Sequence, residues 1–178
     1  MFCGETIVPE GLTGLQLSFN FTVRIIMRGG IMMTYTAVDI AKYIVSYCSG
    51  KHRPVSNLKL QKMLYYTWID YYKKTGTALF FNEICAWQLG PVVPDAYYEF
   101  CSYAGTPIIR TYDVELSSGD TAIINKIIED YIPIPASTLV NRSHRKGGPW
   151  DTVYQDGLGN RGIIPFSLIK DMECVGTC

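Results

Sequence analysis

Residues 143–154, SHRKGGPWDTVY, carry His144, one of only two histidines in a chain of 178 residues. An imidazole within reach of a thiol or hydroxyl can serve as a general base. An imidazole at a helix end, followed by Gly147-Gly148, Pro149 and Trp150, can instead hydrogen-bond freed backbone groups and close a core. No second catalytic group at a convincing spacing accompanies His144, which favours the structural role. His52 sits between Lys51 and Arg53 in a loop and reads as a solvated side chain.

The six cysteines, Cys3, Cys48, Cys85, Cys101, Cys174 and Cys178, are scattered along the chain. Cys48, Cys85 and Cys101 fall in apolar segments and read as small core residues, without the electropositive setting that activates a thiolate. Cys174 and Cys178 are the only close pair, with no histidine nearby. Zinc sites want paired ligands at short spacing, so no metal is expected. GLGNRG at residues 157–162 is a literal GxGxxG, but a dinucleotide site needs a strand before it, a helix after it and an acidic residue about 20 positions on. Only sixteen residues follow Gly162. A flexible turn is expected, with no nucleotide and no other cofactor.

The bulk properties narrow the partners. Sixteen basic residues balance sixteen acidic ones, so there is no overall field to hold nucleic acid or a membrane surface. No apolar run approaches the roughly 20 residues of a membrane span. The start, MFCGETIVPEG, lacks the basic and unbroken apolar regions of a signal peptide. The chain reads as cytoplasmic with free thiols. At 48% hydrophobic and 13% aromatic residues it can bury a single core.

The elements that must position these groups are mostly helices. Thr36, with Asp39 three residues later, opens a helix whose Ala37, Ile40, Ala41, Ile44, Val45 and Cys48 recur at helical spacing up to Gly50. Ser56 caps a longer second helix, NLKLQKMLYYTWIDYYKKTG, that Gly76 stops. EICAWQLGPVV reads as strand broken by Gly90-Pro91, and DAYYEFCSYAG as a third helix. IIRTYDVE is expected to be a second short strand pairing with the first. SSGD caps TAIINKIIEDYI, with Ile123, Ile127 and Ile128 on one face, and IPIP stops it. ASTLVNRSH, PWDTVYQ and PFSLIKDM supply three short helical pieces. The fold expected is mainly α, one compact helical bundle with a small two- or three-stranded β element.

Residues 1–31 differ. Leu15, Leu17, Phe19, Phe21, Val23 and Ile25 alternate as in a strand. Gly29-Gly30 can be encoded as a ribosome-binding sequence, at a suitable distance from two ATG codons at Met32 and Met33. Residues 1–31 are therefore expected to be an extension created by a misplaced upstream start, and 32–178 the domain.

LQKMLYYTWIDYYKKTGTALFFNEICAWQLGPVVPDAYYEF resembles the pattern of the Panacea domain, the SocA-like antitoxin and phage-associated family. That pattern has an N-terminal helix, then LQKLLYY, a Gly-x-x-LF element, and an A-W-x-x-GPV segment leading into Y-x-x-F. The likeness continues through Leu139 and His144 to GGPWDTVY and Ile164, covering about residues 33–172. Two features depart from it: DMECVGTC replaces the usual aromatic-rich last turn, and no additional DNA-binding domain is visible. The resemblance implies a non-enzymatic antitoxin, which neutralises a toxin by direct binding or presents it to the ClpXP protease. It matches Leu60, Gln61, Lys62, Leu64 and Tyr65 to the helix motif, Ala86, Trp87, Gly90, Pro91 and Val92 to the central segment, and His144, Pro149 and Trp150 to a C-terminal clasp.

Two other functions stay open beside it. One is a phage or prophage-borne inhibitor of a host defence protein, of the anti-CRISPR or anti-restriction type; the other is a small Cys/His hydrolase. A neutral surface rich in tyrosine and tryptophan suits protein recognition. The aromatics of LYYTWIDYY span more than one helical stripe, so some must face outward. The expected partner contacts are Tyr65, Tyr66, Trp68, Tyr72, Trp87, Gln88, Gly90 and Pro91.

Overall fold

The computed structural model describes residues 23–27 and 30–174, with side chains described from Tyr35 onward. The alternating stretch from Leu15 to Phe21 lies outside the described residues, as do Cys3 and Cys178. β1 (Val23–Met27) and β2 (Gly30–Thr34) pair antiparallel as a two-stranded sheet of their own, and Met32 and Met33 lie within β2.

Two well-capped helices follow. α1 (Ala37–Gly50) starts at Thr36 with the capping box expected from its sequence: Thr36 Oγ1 accepts from the Asp39 amide at 3.1 Å, and the Asp39 carboxylate accepts from the Thr36 amide at 3.4 Å. α2 (Asn57–Thr75) starts at Ser56, whose hydroxyl accepts from the Lys59 amide, and ends where Gly76 turns left-handed at φ +70°. The remaining helices are shorter: α3 (Pro94–Glu99), α4 (Ser118–Tyr131), α5 (Ala136–Ser143), α6 (Pro149–Tyr154) and α7 (Phe166–Ile169).

α2 is the axis of the molecule. α1, α4 and α5 pack on it, as do the hairpin described below and the wide final turn at Lys170–Cys174. Its Leu60, Met63, Leu64, Trp68 and Ile69 meet Ile40 and Ile44 of α1, Ile127 and Ile128 of α4, and Leu139 of α5 in one buried core. Each such aliphatic side chain contributes about 1.5–3 kcal/mol by leaving water. In α4 the buried stripe is Ile124, Ile127 and Ile128, with Ile123 only half-buried, a shift of one position from the face expected.

Tyrosine hydroxyls close the seam between α1, α2 and α4. Tyr35 and Tyr71 donate to the two oxygens of Asp120 at 2.6 and 2.5 Å, Tyr43 to Asn125 at 2.7 Å, Tyr47 to Glu129 at 2.6 Å, and Tyr131 to Asp70 at 2.6 Å. Burial works against ionisation of Asp120, but hydrogen bonds from Ser117, Tyr35 and Tyr71 outweigh it and hold the carboxyl below its ordinary range. Burial, with the neighbouring carboxylate, pushes the Tyr71 and Tyr131 phenols up.

The β element is a three-stranded antiparallel sheet. β3 (Cys85–Trp87) and β4 (Gly90–Val92) form a hairpin through a two-residue turn at Gln88–Leu89, and β5 (Gly162–Ile163) pairs with the other edge of β3. The expected strand at IIRTYDVE does not form. Ile108 makes a single bridge to Val55, and the chain then runs extended along α1, where the Ser46 hydroxyl accepts from the Tyr112 amide at 2.8 Å. Its backbone is satisfied by a side chain, and the sheet edge it would have filled is taken by β5. No described helix is long and apolar enough to cross a membrane.

Candidate functional site: the clamped hairpin and its cleft

The LQK segment of α2 faces the β3–β4 hairpin. Lys62 is fully buried, and its ammonium nitrogen donates to the Pro91 carbonyl at 2.7 Å. Next to it, Gln61 Oε1 accepts from the Val93 amide at 3.0 Å, while Gln61 Nε2 donates to Asn57 Oδ1 one turn back at 3.1 Å. Asn57 Nδ2 in turn donates to the Tyr97 carbonyl. One helical surface thus satisfies backbone groups of the hairpin that a lone two-stranded unit would leave to water. Burial lowers the Lys62 pKa to about 7, so near neutral pH much of this amine is uncharged and needs no counter-ion.

Gly90 makes the approach possible. Its φ of +100° is a conformation that L side chains rarely adopt. A Cβ there would also lie 2.5 Å from Ser143 Oγ and 2.8 Å from Lys62 Nζ.

The second half of the clamp comes from SHRKGGPW. His144 caps the C-terminus of α5, Gly147 takes φ +71°, and Pro149 occupies the first turn of α6. The His144 ring stacks on Trp150 at 3.8 Å and 8°, and Trp150 stacks on Tyr154 at 4.5 Å and 17°. Trp150 Nε1 donates to the Trp87 carbonyl at 2.8 Å, tying α6 to the end of β3. The imidazole therefore lies flat in an aromatic stack. Burial, with the Lys62 amine adding to it and Asp151 opposing, lowers its pKa, and Nε2 is buried without a hydrogen-bond partner among the described residues.

Thiol chemistry finds little support. Burial pushes Cys48 up to about 11 and also raises Cys85 and Cys174, all away from the thiolate. Cys101, expected in the core, is exposed, because it sits on the outward side of the single 3₁₀ turn Cys101–Tyr103 that follows α3. Among the described residues no group of three His, Cys, Asp or Glu side chains converges. GLGNRG forms the turn between α6 and β5, so it opens into a strand and not into a helix. It is packed tightly, since a Cβ on Gly159 would meet the Val153 carbonyl oxygen at 1.8 Å.

The aromatics of α2 do not form an outward surface. Tyr65 and Trp68 are buried, and Tyr66 and Tyr72 are half-buried. Trp68 Nε1 donates to the Phe80 carbonyl at 3.0 Å, and its ring lies between Tyr72 and Phe166. Tyr66 stacks on Tyr131. A helix surrounded by neighbours buries several stripes, so the argument from a single apolar face does not apply to α2. Tyr65 and Trp68 are thereby removed as surface contacts. Gly90 and Pro91 are buried too and shape the hairpin from within.

The exposed part of the expected site is the hairpin turn. Gln88 is exposed, and Leu89 shows 52% of its surface to solvent. Tyr98, 57% exposed, stands 6.3 Å from the Trp87 ring. A cleft of about 320 Å³ opens between the first turn of α2 and the hairpin, and Trp87, Leu89, Val92, Tyr97 and Cys101 are among the residues lining it. Trp87 is half-buried, packed on Tyr97 at 4.8 Å and under the Arg161 guanidinium at 5.0 Å, with its indole N–H unpaired among the described residues. Leu89, Tyr97 and Tyr98 are not among the contacts expected from sequence, nor is Cys101, expected in the core; the signal available was a Gln-Leu turn ahead of a glycine.

Residues 60–151 match the family described as Antitoxin SocA-like, Panacea domain. The Antitoxin SocA of Caulobacter vibrioides (strain NA1000 / CB15N) is 29% identical over 148 residues, which cover 74% of this chain and 79% of that protein. No solved structure matches the chain. The family match begins at Leu60, beside the two clamp residues of α2, and ends at Asp151, just past Trp150, so it spans both halves of the clamp. The chain belongs to the SocA-like, Panacea-domain antitoxin family.

Proposed function

We propose that the protein is an antitoxin that neutralises a partner toxin by direct binding, and that the toxin docks on the face formed by the β3–β4 turn and the neighbouring cleft. One observation carries the docking site: buried side chains of α2 and α6 hold the hairpin by its backbone, while Gln88 and Leu89 at its tip point into solvent. A contact surface fixed in advance loses little conformational entropy on binding. The family and the name of the Caulobacter relative support the antitoxin role. The stacked imidazole and the raised thiol pKa values support binding over catalysis.

Co-expression with the product of a neighbouring reading frame that is toxic when expressed alone tests this. Wild-type chain restores growth, and Leu89→Asp weakens toxin binding by at least tenfold at unchanged melting temperature. Growth that wild type does not restore removes the antitoxin role. A fully active Leu89→Asp moves the surface elsewhere. Toxin half-life with and without ClpX separates occlusion from presentation to ClpXP, since only presentation makes the half-life depend on the protease.

A further inference from the structure

None of the residues lining the cleft is charged. Two of its polar side chains are already committed, since Gln61 is bonded to Val93 and Asn57, and Asn57 to Tyr97; Gln88 and the Trp87 indole N–H offer only neutral groups. A phosphate, carboxylate or ammonium entering it would shed water without gaining a counter-ion. The rings of Trp87 and Tyr97, with Leu58, Leu89, Val92 and Ala104, form the apolar wall around a volume of about 320 Å³, which has room for one large side chain. Aromatic walls favour an aromatic occupant through offset or edge contacts. The hairpin wall is held by the clamp, so the space exists before any occupant arrives. Leu89 and Tyr98 extend apolar surface beside the opening.

Building on the antitoxin reading, we infer that the cleft is a socket for a single uncharged aromatic side chain projecting from the partner protein, with Leu89 and Tyr98 covering the partner surface around it. A deep aromatic anchor in a preformed pocket is the arrangement in which few residues carry most of the binding energy of an interface.

The socket is tested on the full chain, labelled with ¹⁵N and titrated with N-acetyl-L-phenylalaninamide. Saturable shifts are expected at the Trp87 indole and at the amides of Gln88, Tyr97 and Cys101, with a dissociation constant in the millimolar range for so small a probe. N-acetyl-L-glutamic acid amide is expected to bind at least tenfold more weakly. Cys101→Trp places bulk at an exposed wall position and is expected to abolish the shifts and weaken toxin neutralisation by tenfold or more. Alkylation of the folded wild-type protein at Cys101 with N-phenylmaleimide, located by mass mapping, repeats that block without altering folding. Shifts that do not saturate, equal binding of the acidic probe, or a blocked protein that neutralises like wild type each overturn the socket. A small aromatic compound that co-purifies with the chain, and whose loss leaves neutralisation intact, also overturns it. Neutralisation by the unblocked wild-type chain is a separate readout, so the socket can fail while the antitoxin reading stands.

Discussion

The two sides of α2 are closed by different chemistry. Toward α1 and α4, phenol hydroxyls meet Asp120, Asn125, Glu129 and Asp70, and half-buried rings fill the seam between helices. Toward the hairpin, an amine, an amide and an indole reach backbone groups of a strand pair too short to hold itself. On the tyrosine side the phenols of Tyr35, Tyr43, Tyr47, Tyr71 and Tyr131 end paired to side-chain acceptors. The hairpin side leaves an open cleft, an exposed leucine and an unpaired indole N–H. Thirteen tyrosines in 178 residues suggest a sticky surface from sequence, yet many of them are mortar between helices. The proposed docking surface lies instead where the backbone is held from behind.

Four measurements would break or sharpen this contrast. The largest effect is expected at the clamp: Trp150→Ala loses a buried ring stacked on both faces and a hydrogen bond, costing about 3–5 kcal/mol in urea denaturation. His144→Ala costs less. A Trp150→Ala loss under 1 kcal/mol would mean that the hairpin holds itself.

Next comes Gly90→Ala, which adds an atom against Ser143 and Lys62 at a left-handed position and is expected to cost about 2–3 kcal/mol. Adding Ser143→Ala should recover more than 0.5 kcal/mol of that in a double-mutant cycle. Strict additivity would show that the crowding lies elsewhere.

Lys62 gives a pH signature absent from the other side. Its folded pKa is lowered to about 7 from 10.5, so between these values the unfolded chain holds a proton that the folded one releases. Stability therefore rises with pH, most clearly from pH 7 to 9.5, by up to about 1.4 kcal/mol per unit, and flattens below pH 7 where both states are protonated. Lys62→Met should remove this slope. Denaturation midpoints of the two proteins with parallel pH dependence would refute a neutral amine in the clamp.

The smallest effects belong to the tyrosine side. Tyr71→Phe deletes one of three side-chain donors to Asp120 and should cost about 1 kcal/mol. Tyr47→Phe, at an exposed pair with Glu129, should leave the melting temperature unchanged. A Tyr47→Phe effect as large as that of Tyr71→Phe would place real stability in surface phenol contacts.

The parts legible in the sequence were those written in local signals. Thr36 with Asp39, Ser56 and Gly76 bounded α1 and α2 because caps and stops act within a few residues. Gly90-Pro91, expected to break the strand, instead lies within β4, and the turn falls just before it at Gln88–Leu89. β5 was not legible, since two residues at Gly162–Ile163 carry no period and gain their identity only from β3. IIRTYDVE carried strand formers without a strand partner, because Ser46 of α1 bonds its backbone. Lys62 reads as an ordinary solvated charge, and nothing local reveals that Pro91 and Gly90 will enclose it. The outward tyrosines of α2 failed because a moment over one helix cannot report how many neighbours surround it.

The ties between β3 and later parts of the chain also set an order of events during synthesis. Pro91 leaves the ribosome well before Trp150 and Ile163, by roughly 3–12 s and roughly 4–14 s respectively at about 5–20 residues per second. Until then the nascent chain displays Gln88 and Leu89 on a hairpin held only by α2, without the Trp150 indole on the Trp87 carbonyl and without its third strand. The proposed docking face is thus among the last parts of the fold to mature, and a chain halted before residue 150 carries the tip but only part of its support.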